Sequence, residues 1–65
     1  MAIEFLTPRE FEVLRLASAA YSNREIAGIL VVSVRTVDSH TAHILARLNV
    51  HSRGEAIRVY LAKYG

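Results

Sequence analysis

The chain of 65 residues contains no cysteine. That removes disulfides and thiolate-bound metal as sources of stability and leaves the redox compartment open, the cytosol being compatible. No apolar run approaches the ~20 residues of a membrane-spanning helix, so the membrane is not an expected partner. The N-terminus lacks the basic, apolar and small-residue zones of a signal peptide. Internal repeats, linkers and low-complexity segments are also missing, as is any glycine-rich phosphate loop. These absences leave one small cytoplasmic domain spanning residues 1–65. A chain of this size buries only roughly 60% of its unfolded surface. Its stability must therefore come from well-formed helices on a compact core, or from a partner chain.

What is present supports such a core. Hydrophobic residues make up 52% of the chain, too many for a disordered tail. The formal net charge is only +2 but unevenly spread. Residues 1–32 hold three arginines against four glutamates, whereas residues 33–65 hold five cations against Asp38 and Glu55. Seven of the eight cations are arginine, whose planar fork suits phosphate. A basic C-terminal half fits a polyanion partner. A solvated charged surface is the simpler reading of so small a charge, so the helix pattern has to decide.

Helix starts are marked by capping boxes, in which a Ser or Thr caps the backbone three residues on and a Glu there reaches back. Thr7-Pro8-Arg9-Glu10 predicts a first helix from residue 8 to about Ala20, with Phe11, Val13, Leu14, Ala17 and Ala20 inward and Arg9, Glu12 and Arg15 on water. Ile3, Phe5 and Leu6, just before it, are expected to cover one end of the core. Ser22 with Glu25 predicts a second helix over about 23–31, with Ile26, Ala27 and Leu30 inward. The turn Val31-Val32-Ser33 lacks glycine, although tight turns favour residues tolerant of positive φ.

Ser33 caps a third helix over about 34–48, where Val34, Val37, Thr41, Ile44, Leu45 and Leu48 gather on one side with His40 at the edge. Arg35, Asp38, Ser39, Ala42, His43 and Ala46 face the other way, flanked by Thr36 and Arg47. An outer face of small residues can approach another surface closely. Ser52 with Glu55 predicts a fourth helix over about 53–64. Its Ala56, Ile57, Val59, Tyr60, Leu61 and Tyr64 cover a wider arc than the ~100° stripe of a core-facing helix, which points to a second burial surface. Tyr60 is expected to close the core. Ile57, Leu61 and Tyr64 are the candidate dimer seam, with core packing as the alternative. Two helices joined by a three- or four-residue turn, as in 22–48, form a helix-turn-helix, whose second helix can enter the DNA major groove. The expected fold is an all-α, four-helix helix-turn-helix domain.

The residues then resemble the LuxR/FixJ-type, or GerE-like, helix-turn-helix domain of bacterial regulators. The resemblance is carried by Leu6-Thr7-Pro8-Arg9-Glu10, Glu12-Val13-Leu14, Ser22-Asn23-Arg24-Glu25-Ile26-Ala27, Leu30, Ser33, Thr36-Val37, His40, Ile44, Leu48, Val50, Ser52-Arg53 and Glu55-Ala56. It covers roughly residues 6 to 58. It implies a sequence-specific DNA-binding domain of a transcription regulator, its third helix in the groove and its fourth forming a homodimer. It also implies, in many relatives, an N-terminal receiver (as in response regulators) or ligand-binding domain, so that the chain is either a stand-alone regulator or an excised C-terminal piece. Thr36 and Ser33 would meet phosphate at the helix N-terminus. The pattern departs at Asp38, where relatives most often carry lysine, at Ala42, where they frequently carry a basic or polar residue, and at Ala46, where a cation is common. Aspartate repels phosphate, though it can accept from cytosine N4.

The expected DNA-binding residues are therefore Ser33, Arg35, Thr36, Asp38, Ser39, Ala42, His43, Arg47 and Arg53, with a weaker phosphate grip than in relatives. No cofactor, metal or catalytic residue is expected. His40 and His43 lie one helical turn apart but lack the further ligands zinc needs. Asp38, Ser39 and His40, being sequence neighbours on a helix, point apart and cannot form a triad. The competing function keeps the fold as a protein-interaction or dimerisation module with little DNA affinity, which Asp38, Ala42 and Ala46 favour. The DNA-reading fourth region of bacterial sigma factors shares the Leu-Thr-x-Arg-Glu opening. Ser22-Asn23 and Thr36-Val37-x-x-His40 argue against it.

Overall fold

A computed structural model describes residues 5–65. Among them four α-helices follow in order: α1 (Pro8–Ser18), α2 (Asn23–Leu30), α3 (Val34–Leu48) and α4 (Arg53–Tyr64). None is long and apolar enough to cross a membrane. The all-α architecture read from the capping boxes is the one observed.

The starts form as the local chemistry dictates. Thr7 Oγ1 accepts from the Glu10 N–H at 3.1 Å while Glu10 Oε1 accepts from the Thr7 N–H at 3.0 Å. Ser22 and Glu25 make the same reciprocal pair at 3.1 and 2.8 Å. Ser33 caps α3 by accepting from the Thr36 N–H. The third box, at the start of α4, is only half formed. Ser52 Oγ accepts from the Glu55 N–H, but the Glu55 carboxylate takes the N–H of His51 instead of that of Ser52, at 2.6 Å. Ser52 differs from the other two in φ, −147° against −67° for Thr7 and −74° for Ser22, which turns its own N–H away from the carboxylate.

The ends depart further from expectation. Helix α1 stops at Ser18 rather than about Ala20, because Ala20 turns to φ 74° and the chain closes a Schellman motif. In it the Ala20 N–H reaches the Ala17 carbonyl and the Tyr21 N–H the Leu16 carbonyl. Ala20 is therefore exposed and not part of the core. Helix α2 ends at Leu30, one residue early, with Val31 in the left-handed region at φ 58° and the Val32 N–H returning to the Ala27 carbonyl. Asn49, at φ 56°, ends α3 in the same way. Of the three, only asparagine is at home there; the glycine missing from the tight turn is replaced by a strained valine.

Helix α1 packs on all three others and α3 on both α2 and α4. The buried core takes Val13, Leu14, Leu16 and Ala17 from α1, Ile26 and Ala27 from α2, Val37, Ile44 and Leu48 from α3, and Ala56 from α4. Leu16 was not on the expected inner stripe; α1 buries a wider arc because it has neighbours on three sides. Val13, Ile26 and Val37 are essentially inaccessible, each stabilising the fold by about 1.5–3 kcal/mol. Val34, expected inward, lies at the very start of α3 and stays 41% exposed. Leu6 packs on the core as expected, whereas Phe5 is exposed; Ile3 lies outside the described residues. Phe11, Tyr60 and Tyr64 form a cluster of rings across α1 and α4, with centroids 5.1–5.6 Å apart. Tyr60 closes the core, and Ile57 is half-buried against it.

Candidate nucleic-acid interface

The helix-turn-helix is α2, the three-residue turn 31–33 and α3. Helix α3 is anchored from behind by Val37, Ile44 and Leu48, and Thr41 Oγ1 adds a bond to the Val37 carbonyl at 3.0 Å. The opposite face is solvent: Arg35, Asp38, Ser39, Ala42, His43, Ala46 and Arg47 are all exposed. Because α3 is a regular helix of 15 residues, these side chains form one surface about 20 Å long. At its N-terminal end the Ser33 and Thr36 hydroxyls are 2.9 Å apart, so each is oriented by the other beside the free N–H groups of the first turn. Arg35 stands beside them with no ion pair or side-chain hydrogen bond among the described residues.

In the middle of the face, Asp38 is held. Its Oδ1 accepts from Asn23 Nδ2, at the start of α2, at 2.7 Å. Asn23 Oδ1 in turn accepts from Arg53 Nη1 at 2.5 Å, and Arg53 Nη2 donates to the Tyr21 carbonyl at 2.9 Å. Arg53, expected as a phosphate contact, ties the start of α4 to the start of α2 through its guanidinium. Asn23 was not among the expected site residues. Its place one residue after an N-cap marks a helix start, and nothing local announces partners 15 and 30 residues away.

At the C-terminal end, Arg47 Nε donates to Glu10 Oε1 at 2.9 Å, and His43 Nδ1 lies 3.8 Å from Glu10 Oε2. Burial pushes the Glu10 carboxyl up, but the Thr7 N–H and the Arg47 guanidinium, with His43 adding to them, outweigh it and hold the carboxyl below its ordinary value. Arg47 keeps 45% of its side chain in solvent and, with His43 and Ala46, lines a shallow depression on this end of the face. The sequence pattern placed Glu10 only as a capping partner; it is also the buried acid, 3% exposed, that fixes the last turns of α3 to α1. The expected site residues thus fall on one continuous face, except Arg53, which joins it through Asn23. The expected seam residues Ile57, Leu61 and Tyr64 lie on α4, Leu61 and Tyr64 being 46% and 50% exposed.

Residues 4–60 match the family described as bacterial regulatory proteins, luxR family. The chain is similar to the Oxygen regulatory protein NreC of Staphylococcus carnosus, 45% identical over 58 residues, which are 89% of this chain and 27% of that protein. It is also similar to the proteins of the same name from Staphylococcus epidermidis and Staphylococcus aureus, each 42% identical over 60 residues, or 92% of this chain and 28% of theirs. The chain therefore spans little more than a quarter of the length of these curated relatives. With its capped helix-turn-helix and a match over nearly all of its length, the chain belongs to the luxR family of bacterial regulatory proteins, as a helix-turn-helix DNA-binding domain of a transcription regulator.

Proposed function

We propose that the domain binds duplex DNA as a homodimer, with α3 in the major groove and α4 as the dimer seam, and that it serves a cytoplasmic regulator of response-regulator type whose other part is a receiver or ligand-binding domain. The observation that carries the reading is the outer face of α3: a helix anchored by three buried residues, presenting Ser39, Ala42 and Ala46 with few long side chains between them. Such a face can come close to base edges in a groove about 12 Å wide. Ser33, Thr36 and the first-turn N–H groups supply phosphate contacts at one end, and the outer edge of Arg47 supplies one at the other. Arg35 adds an uncommitted fork. On α4, Leu61 and Tyr64 give the surplus apolar surface a second chain to cover, with Ile57 behind them.

A second reading has its own support. Arg47 and Arg53 are both engaged within the chain, and Asp38 is acidic, so the α3 face is poor in free cations for a DNA binder. On that reading the same fold serves protein contact. Titration with duplex DNA across a salt series separates the two. A DNA binder loses affinity steeply, with a log–log slope of about −0.9 per phosphate contacted. A folded domain that binds no genomic or operator-like duplex at low salt would sink the proposed function.

A further inference from the structure

Asp38 sits at the middle of the α3 face, where a carboxylate has the wrong sign for a phosphate, yet three helices cooperate to hold it. The chemistry of the chain of contacts runs in one direction. The Arg53 guanidinium can only donate, so the Asn23 atom that meets it must be the carbonyl oxygen. That fixes the carboxamide orientation and leaves Asn23 Nδ2, which can only donate, turned toward α3. The side chain it meets there must accept, and Asp38 does so through Oδ1. The Tyr21 carbonyl takes the other Arg53 nitrogen, so the guanidinium is itself pinned at two points. Asp38 Oδ2 has no donor among the described residues, and the side chain is exposed. A carboxylate with one oxygen clamped and the other facing out is a fixed acceptor, whose ordering cost is met before any ligand arrives.

In the major groove such an acceptor is selective. Guanine shows it only acceptors, O6 and N7, and thymine shows the O4 acceptor and a methyl group. Adenine offers the N6 amino group but sets the N7 acceptor beside it, which repels a carboxylate. Cytosine offers the N4 amino group alone. We infer that Asp38 determines specificity for a cytosine in each half-site, and that Asn23 and Arg53 are its positioning residues. The inference rests on the proposed placement of α3 in the groove.

The test is selection of tight-binding duplexes from a pool with randomised base pairs, using the wild-type domain, Asp38→Ala, Asp38→Asn and Asn23→Ala, each checked for helical content, and a salt series on the selected duplex. The wild type should enrich cytosine at one position per half-site, by about ten-fold over the other bases. Asp38→Ala should abolish that enrichment. Asp38→Asn should move it to guanine, because the carboxamide must turn its oxygen to Asn23 Nδ2 and so presents its amino group to acceptors such as O6 and N7. Asn23→Ala should weaken the preference at that position alone and leave the salt slope unchanged, a pattern that general destabilisation would not produce. Asp38 is exposed, so its two variants keep the fold and decide the matter even if Asn23→Ala does not fold. An unchanged cytosine preference in Asp38→Ala, or no cytosine preference in the wild type, overturns the inference while leaving DNA binding standing. No duplex binding by the wild type overturns the groove placement, and the inference with it.

Discussion

Arg47 Nε lies 2.9 Å from Oε1 of Glu10, joining the last turns of α3 to the first turn of α1. The same oxygen accepts from the Thr7 N–H, so one buried carboxylate caps one helix and tethers another. The two roles can be separated. Glu10→Gln keeps an oxygen for Thr7 but loses the charge facing Arg47, and should cost about 1 kcal/mol. Glu10→Ala loses the cap as well and leaves a void, and should cost about 2 kcal/mol. Urea unfolding reads both as a lower midpoint at unchanged slope. Equal midpoints for wild type and Glu10→Gln would mean that the half-exposed Arg47 contributes nothing through this pair.

Acid should erase that difference. The folded carboxyl of Glu10 titrates below its ordinary range, which is about 4.3 for an unperturbed glutamate. A depressed carboxyl stabilises the fold fully above its unfolded value and loses that contribution as pH falls through the folded value. The stability gap between wild type and Glu10→Gln should therefore be present at pH 5 and close as the pH drops below about 4. Thermal unfolding of the two proteins side by side measures it. A gap that persists undiminished at pH 2.5 would place the stabilisation in packing rather than in charge.

How much of this was legible beforehand follows from the range of each interaction. The Thr7–Glu10 and Ser22–Glu25 boxes lie within one helical turn, so spacing alone reveals them. The outer face of α3 follows from the 3.6-residue period, which says which residues share a side. The period does not say who meets whom across helices. Arg53–Asn23–Asp38 and Arg47–Glu10 join residues far apart in the chain, so the acid and amide partners of these cations are brought near only by the fold. The end of α1 was misjudged for a different reason. Alanine favours helix at residues 19 and 20, but the Ser22 cap of α2 needs the chain to turn before it, and the Tyr21 bond to Leu16 carries out that turn.

The two turns that lack glycine are places to gain stability. Val31 is 87% exposed at φ 58°, so it has little packing to lose and a left-handed backbone that a β-branched residue resists. Val31→Gly should remove a strain of about 1–2 kcal/mol, partly offset by the greater freedom of glycine in the unfolded chain, for a net gain of about 0.5–1 kcal/mol. Ala20→Gly should gain less, since alanine resists this region less than valine does. In a domain of this size a gain near 1 kcal/mol raises the melting temperature by about 4–8 °C. Calorimetry that finds Val31→Gly no more stable than wild type would show that the turn is not strained.

The proposed dimer seam on α4 can be tested at Leu61. Tyr64 is held on one side by Phe11 and Tyr60 and is still half exposed, and Leu61 is 46% exposed in the same last turns. Burying an aspartate at position 61 in an apolar seam would cost far more than a domain this small can spare, whereas in a monomer it would meet water. Its main cost in the monomer would be a negative charge near a helix C-terminus, about 0.3–1 kcal/mol. On the proposed seam the wild type should sediment as a dimer, and Leu61→Asp should stay helical by circular dichroism and sediment as a monomer at the same concentrations. Its affinity for a two-half-site duplex should fall while that for a single half-site is kept. A Leu61→Asp protein that still sediments as a dimer would move the interface off this helix.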